Sequence, residues 1–277
     1  MINTIAYGLT IGAILYIISV GLSLTFGTMR IVNFAHGLIY TIGAYLLVTL
    51  LPVARDNFIV GAILAVLAVI PIAYVVERFV IRKLYGVSID YAIIATYAVV
   101  LIGVDLIKWI WGASPIPLSD PVGIDVSLAG VTLPLYRLLI IVFSLAIFAG
   151  LTVFFKKTMV GKVVVAALED KDAVKSLGIS VDKYFAIVFV IGSCLAALGG
   201  VLYAPITSVH PYMGMMVLLI SFAVVLVGGL GNLRGTFVAA FVLGLIMAIT
   251  GRFWGPAAET MVFVVMGVML IFKPIEV

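Results

Sequence analysis

In a chain of 277 residues that is 65% hydrophobic and only 10% charged, few side chains can do chemistry, and their placement says which kinds are open. Asn33 and His36 stand three apart in the stretch GLSLTFGTMRIVNFAHG, residues 21–37. The sequence predicts that one helix ends near Gly27, a short polar turn follows, and a second apolar run begins. Helix ends leave backbone N–H and C=O groups unpaired, and at membrane depth such a break is tolerated only beside protein or along a water-lined route. Asn33, Phe34, His36 and Gly37 are therefore candidate substrate-path residues. The structural alternative is that Asn33 caps the following helix and His36 hydrogen-bonds a neighbouring carbonyl.

Ionisable residues deep between spanning helices mark ion or proton pathways. Asp105 and Lys108, and Glu77 and Arg78, instead fall near the ends of apolar runs, and Asp105 with Lys108 reads as a local i,i+3 ion pair that neutralises itself. His36 and His210 have no Cys, Asp or Glu at metal-ligand spacing, so neither a metal site nor a cofactor is expected. The single cysteine, Cys194, lies in an apolar run and reads as a buried thiol that cannot form a disulfide within the chain. No G-x-x-x-x-G-K-[ST] phosphate loop occurs. Nothing here hydrolyses ATP, and no converging nucleophile suggests an enzyme.

The longest polar interval is residues 156–183, KKTMVGKVVVAALEDKDAVKSLGISVDK. It holds six of the 16 Lys and Arg residues and four of the 12 acids, so it must face water. Val163, Ala166, Ala167, Val174 and Leu177 fall near helical spacing. Lys162, Glu169, Lys171 and Lys175 supply a wet side. Asp170 can cap a second turn that stops at Gly178. A solvated loop explains the charge; a short rigid helix that docks a water-soluble partner explains both the charge and the apolar spacing.

These residues need elements to hold them. Composition this apolar belongs to an integral membrane protein, and about 20 residues per helical span allow eight or nine crossings with no room for a soluble domain. Candidate segments run over residues 5–26, 34–53, 59–79, 92–111, 135–155, 184–203, 217–230, 236–249 and 257–272. The first is too long for a signal-peptide core; the second, seventh and eighth adjoin glycine-rich or polar breaks. The expectation is an all-α, polytopic membrane helical bundle, one transmembrane domain over residues 1–277 with the 156–183 loop inside it. Basic residues concentrate in residues 78–90 and 156–183 and are missing from 112–134 and 205–214, which places the first pair in the cytoplasm. Counting crossings outward puts Arg30, Arg234 and the C-terminus with Lys273 inside, and Arg55, Arg252 and the N-terminus outside. The net charge of +4 follows from these scattered loops and is no nucleic-acid footprint.

Two further stretches stand out. GGLGNLRG, with Gly228, Gly229, Gly231 and Gly235, is a structural glycine break between apolar runs, where small residues permit close helix approach. Gly27-x-x-Arg30 and Gly231-x-x-Arg234 share a spacing that hints at an internal repeat. Residues 203–214, rich in Pro and Tyr, form either a semi-rigid outer rim or ordinary interfacial anchoring.

VNFAHG at residues 32–37, the loop with Thr158, Gly161, Asp170, Gly178 and Ile179, and GGLGN-x-x-G at residues 228–235 together resemble the permease subunits of branched-chain amino-acid ABC transporters, over about residues 21–272. The resemblance implies a translocation subunit in a lipid bilayer, the cell membrane. It pairs there with a second permease subunit, two cytoplasmic ATPase subunits and an extracytoplasmic substrate-binding protein. It also makes residues 156–183 the ATPase-coupling element, carried by Gly161, Lys162, Ala166, Ala167, Glu169, Asp170 and Gly178. The chain departs from the family where members often have an Arg-Ala step, here Val165-Ala166, and where many end in a Gly-rich basic tail, here Lys273 to Val277. Related permeases handle urea or short amides, so cargo stays open between amino acids and these. A stand-alone secondary carrier or channel is the rival from another class.

Overall fold

The computed structural model describes residues 2–128 and 131–272. Helix α1 (Ile2–Met29) is apolar on every side, and a helix with no polar stripe belongs in an interior. It runs through the middle of the bundle beside α8 (Val181–Tyr203), and both are buried along most of their length. Gly21 of α1 and Gly192 of α8 meet where these two cross; a Cβ on either would strike the other's carbonyl oxygen. Small residues let transmembrane backbones pack by direct contact, where no difference in water exposure drives association.

Around this pair lie α2 (Ala35–Leu50), α9 (Met213–Gly228) and α10 (Leu233–Phe253). Helices α3 (Phe58–Phe79), α4 (Ile89–Trp111), α5 (Leu135–Lys157) and α11 (Ala257–Phe272) flank the bundle. They expose broad apolar faces, among them Ile63, Leu67, Trp109, Val142, Phe143 and Val264, as lipid-facing surface requires. Among the described residues, α1, α3, α4, α5, α8 and α10 are long and apolar enough to cross a membrane, while α2, α9 and α11 have 16 residues each. Sixteen residues rise about 24 Å, short of the roughly 30 Å hydrocarbon core. Of the three segments that adjoin glycine-rich or polar breaks, the second and seventh, α2 and α9, are short; the eighth, α10, is longer than expected, and the ninth, α11, has the expected bounds.

Loops gather at two ends. At one, Arg30, residues 85–89, Ala167 and Leu230 line a common cavity. At the other, Trp111 donates its indole N–H to Thr49 (2.8 Å), Tyr136 donates its hydroxyl to the Leu202 carbonyl (2.7 Å), and Arg252 reaches Thr4 (3.1 Å). We call these the basic end and the far end. The bundle is mostly helical, as expected, and the far end adds a small non-helical element: strands β1 (Asp125–Leu128) and β2 (Val131–Pro134) pair antiparallel, and Ile116 exchanges two backbone hydrogen bonds with Val209, 2.9 Å each. The alternation of polar and apolar residues over this short hairpin is too brief to stand out in a chain dominated by helical runs. The C-terminal assignment at Lys273 lies outside the described residues.

Candidate functional site: two cavities on one face

The break after α1 is real and deep. Arg30 takes a left-handed conformation, φ 53°, and the chain runs without helix to Phe34. Thr96 holds this segment: its hydroxyl accepts from the Phe34 N–H (3.2 Å) and lies 3.3 Å from the Val32 carbonyl. Thr96 is seven residues into α4, about 10 Å from the helix start, so α2 begins well inside the bundle. Its first turn abuts that of α9. Gly37 and Gly214 touch so closely that a Cβ on either would hit the other's carbonyl oxygen, and the Gly214 N–H donates to the Thr41 hydroxyl at 3.1 Å. Two helix N-termini, each carrying partial positive charge, therefore lie side by side. Broken helices whose N-termini meet inside a bundle can receive anionic groups.

A cavity of about 300 Å³ opens at this junction, on the far-end side. Phe34, Gly37, Leu38 and Thr41 line it from the α2 region, Pro211, Tyr212 and Met215 from the start of α9, and Tyr97, Val100, Leu101, Val104, Asp105 and Lys108 from α4. The α4 contribution is one helical stripe at i, i+3, i+4, i+7, i+8 and i+11. Lys108 Nζ is 3.0 Å from Asp105 Oδ1 and sits 4.8 Å above the centre of the Tyr212 ring. A second cavity, about 760 Å³, opens at the basic end between residues 26–30, residues 85–89, Ala167, Leu168, Phe185 and Leu230. Phe34, in the wall of the far cavity, sets its ring against Tyr97 edge-on at 6.1 Å and against Phe222 at 5.8 Å.

Of the four candidate path residues, Phe34 and Gly37 line the far cavity and Asn33 and His36 do not. His36 is fully buried, with Nε2 3.0 Å from the Ile18 carbonyl oxygen of α1, which is the contact the structural alternative anticipates. Asn33 does not cap α2. Phe34 holds the N-cap position with no side-chain bond, and both amide atoms of Asn33 are buried without a hydrogen-bond partner. The glycine break closes the basic end: Gly229 and Gly231 have φ of 90° and 73°, Asn232 caps α10 by accepting from the Gly235 N–H (3.0 Å), and Gly228 lies against Gly235. Gly231 packs on Gly27, so the two G-x-x-R segments are neighbours in space.

The 156–183 interval forms α6 (Met159–Glu169) and α7 (Lys171–Ser176). The Thr158 hydroxyl caps α6 by accepting from the Gly161 N–H (3.3 Å), and Asp170 caps α7 through the N–H groups of Asp172 (3.0 Å) and Ala173 (2.9 Å). Gly178, at φ 78°, ends the unit with its N–H on the Lys175 carbonyl. Gly161 is pressed against the Phe155 backbone where α5 turns into α6. Gly161, Val163, Val164 and Ala167 face inward, whereas Lys162, Val165, Ala166 and Glu169 form an exposed stripe at i, i+3, i+4 and i+7. Ala166 and Ala167, which the sequence reading put on one docking face, thus lie on different faces, one exposed and one buried, and Ala167 is part of the basic-end cavity wall.

Sequence reasoning missed Thr96, Tyr97 and Phe222, whereas Pro211 and Tyr212 of the 203–214 stretch do line the far cavity. Aromatic and Thr residues in apolar runs carry no periodic signal that separates a cavity lining from packing.

A family model described as branched-chain amino acid transport system / permease component matches residues 4–273, and the chain belongs to that family. It is 29% identical to the high-affinity branched-chain amino acid transport system permease protein BraD of Pseudomonas aeruginosa, over 96% of this chain and 92% of that one. It is 27% identical to LivH of Escherichia coli K12, a permease protein of the same description, over 89% and 84%. A probable branched-chain amino acid transport permease protein LivH of Methanocaldococcus jannaschii is 28% identical over 84% and 78%. Among solved structures, PsaBC from Streptococcus pneumoniae in complex with Fab shares the fold, with a TM-score of 0.50 at 15% identity over 98% of this chain and 89% of that one. As a permease component the chain is not itself an enzyme.

Proposed function

We propose that this chain forms one side of the translocation path of an ATP-driven importer for branched-chain amino acids. The carrying observation is the pair of cavities, one lined by the residues that lead into α4 and the other by α4 itself, with the Phe34, Tyr97 and Phe222 rings read as the barrier between them. A chain with half a path on an open face needs a second permease subunit to enclose it. The names of the relatives support the cargo.

In this reading the chain crosses the inner or plasma membrane nine times. The α2 crossing is completed by the extended residues 30–34, which add length that 16 helical residues lack. The basic end faces the cytoplasm, following the Lys and Arg bias. Two ATPase subunits supply the energy, one docking on the exposed stripe of α6, and the chain needs no cofactor of its own. The far-end loops, stiffened by the hairpin and the Ile116–Val209 bridge, receive an extracytoplasmic binding protein. Closure of the ATPases moves α6, and with it the Ala167 wall of the basic-end cavity, so that access alternates across the aromatic constriction.

Reconstitution tests this. The complete complex in proteoliposomes should take up labelled leucine only with ATP on the α6 side and binding protein on the other. Uptake by the lone chain without ATP would make it a secondary carrier and overturn the importer.

A further inference from the structure

The far cavity carries two opposite charges where a lipid-facing helix should have none. Asp105 lies six residues before the end of α4, about 9 Å below it, and its side chain is 77% exposed. A carboxylate open to hydrocarbon at that depth is costly. It stands, however, on the cavity stripe, while Ile102, Leu106, Trp109 and Ile110 take the other face. Lys108 completes the pair at 3.0 Å and is held against the Tyr212 ring. Below the pair the walls are apolar, formed by Leu38, Val100, Val104 and Met215, with Phe34 and Tyr97 toward the constriction. The start of α9 adds a second positive group beside Lys108.

Resting on the importer reading, we propose that Asp105 and Lys108 are the zwitterion clamp of the path. The Lys108 ammonium takes the α-carboxylate of an amino acid, the Asp105 carboxylate takes its α-ammonium, and the branched side chain enters the apolar wall. Binding opens one ion pair and forms two, so no charge is left unpaired. At about 300 Å³ the cavity is at the small end of ligand pockets, about 300–1,000 Å³. Urea and short amides carry neither charge and cannot separate the pair; the clamp therefore selects amino acids over them.

The test uses the complete transporter in proteoliposomes, with co-purification of all subunits as the check on assembly. Asp105→Asn and Lys108→Gln should each lower leucine uptake roughly tenfold or more, the scale of one charge-assisted hydrogen bond, and the double variant should be no better than either. An ion pair that served only local neutrality would behave otherwise: removing both charges together would restore uptake. That outcome would overturn the clamp and leave the importer standing, whereas no ATP-driven leucine uptake by the unaltered complex would overturn both. Independently, Leu101→Cys in a Cys194→Ser background should be shielded from a thiol reagent by millimolar leucine and not by isovaleramide. Equal shielding by the two would also overturn the clamp.

Discussion

Glu77→Gln should destabilise the chain by about 3 kcal/mol. Glu77 is fully buried at the end of α3, and its carboxylate is saturated: Arg82 donates through Nε to Oε1 and through Nη2 to Oε2, and the Tyr85 hydroxyl donates to Oε1, each at 3.0 Å. Burial, with the Glu77 charge beside it, pushes the Tyr85 phenol well above its ordinary range, so Tyr85 acts as a neutral donor. Removing one partner of a buried ion pair typically costs about 3–5 kcal/mol, because the other charge is stranded. Arg82 keeps 27% of its side chain exposed, so water can partly solvate it, which favours the low end. Tyr85→Phe deletes one bond to a charged acceptor, about 1.5–3 kcal/mol. Because both changes act on one carboxylate, the double variant should fall short of the sum by about 0.5–3 kcal/mol. Denaturant unfolding in mixed micelles, run as a double-mutant cycle, measures all three. A Glu77→Gln variant within about 0.5 kcal/mol of the parent, the range of an ordinary surface change, would refute the reasoning. The residues at stake hold the turn that leads into the 85–89 wall of the basic-end cavity.

Ala166→Glu, on the exposed stripe of α6, should leave the fold intact and detach the ATPase, while Ala167→Glu should lower stability by burying a carboxylate; the opposite pattern in co-purification and unfolding would reverse the assignment of faces. Single cysteines at Ser127 and Ser176 in a Cys194→Ser background should react with an impermeant reagent from opposite sides of intact cells, and labelling of both from outside would reject the orientation. Phe34→Ala should let preloaded leucine leak from proteoliposomes without ATP, and a tight vesicle would show that the constriction lies elsewhere. Asn33→Leu should raise the unfolding midpoint, since it removes buried amide atoms that lack partners, worth about 1–3 kcal/mol; a lower midpoint would mean that the amide is paired.

Most of the helices were legible because hydrophobic runs bounded by Gly, Pro and charge are strong signals in a lipid-soluble chain. Two loop caps were legible for the same local reason: Asp170 and Gly178 work within four residues of themselves, whereas the Thr158 cap was not read from the sequence. What the sequence could not show is which face of a helix meets protein. In a bilayer both faces are apolar, so α4 reads as uniform although Tyr97, Val104 and Lys108 face a cavity and Ile102 and Trp109 do not. Within α6 the same limit put Ala166 and Ala167 together, since two adjacent alanines carry no directional information. His36 and Asn33 drew attention as polar residues at a break, yet a polar group at a break can serve packing. His36 does so through the Ile18 carbonyl, and the neighbouring apolar Phe34 takes the cavity instead.

The two broken helices bear on how α6 would control access more than 120 residues away in sequence. Helix α6 touches α5 and α8, and its inward residue Ala167 is part of the basic-end cavity together with Phe26, Gly27 and Arg30 at the end of α1. Gly27 in turn rests on Gly231, and α9, which ends at Gly228, begins where Gly214 meets Gly37 of α2. A push on α6 therefore reaches α8 by direct contact, and α8 in turn meets α2, the helix that follows Phe34, where Gly200 lies against the Tyr40 carbonyl. Close-packed glycine contacts transmit displacement because no flexible side chain lies between the backbones to absorb it. Non-helical residues 30–34, tied to α4 through Thr96, lack the regular helical ladder of their neighbours, and so are the place where a displacement at α6 would be taken up as movement of Phe34.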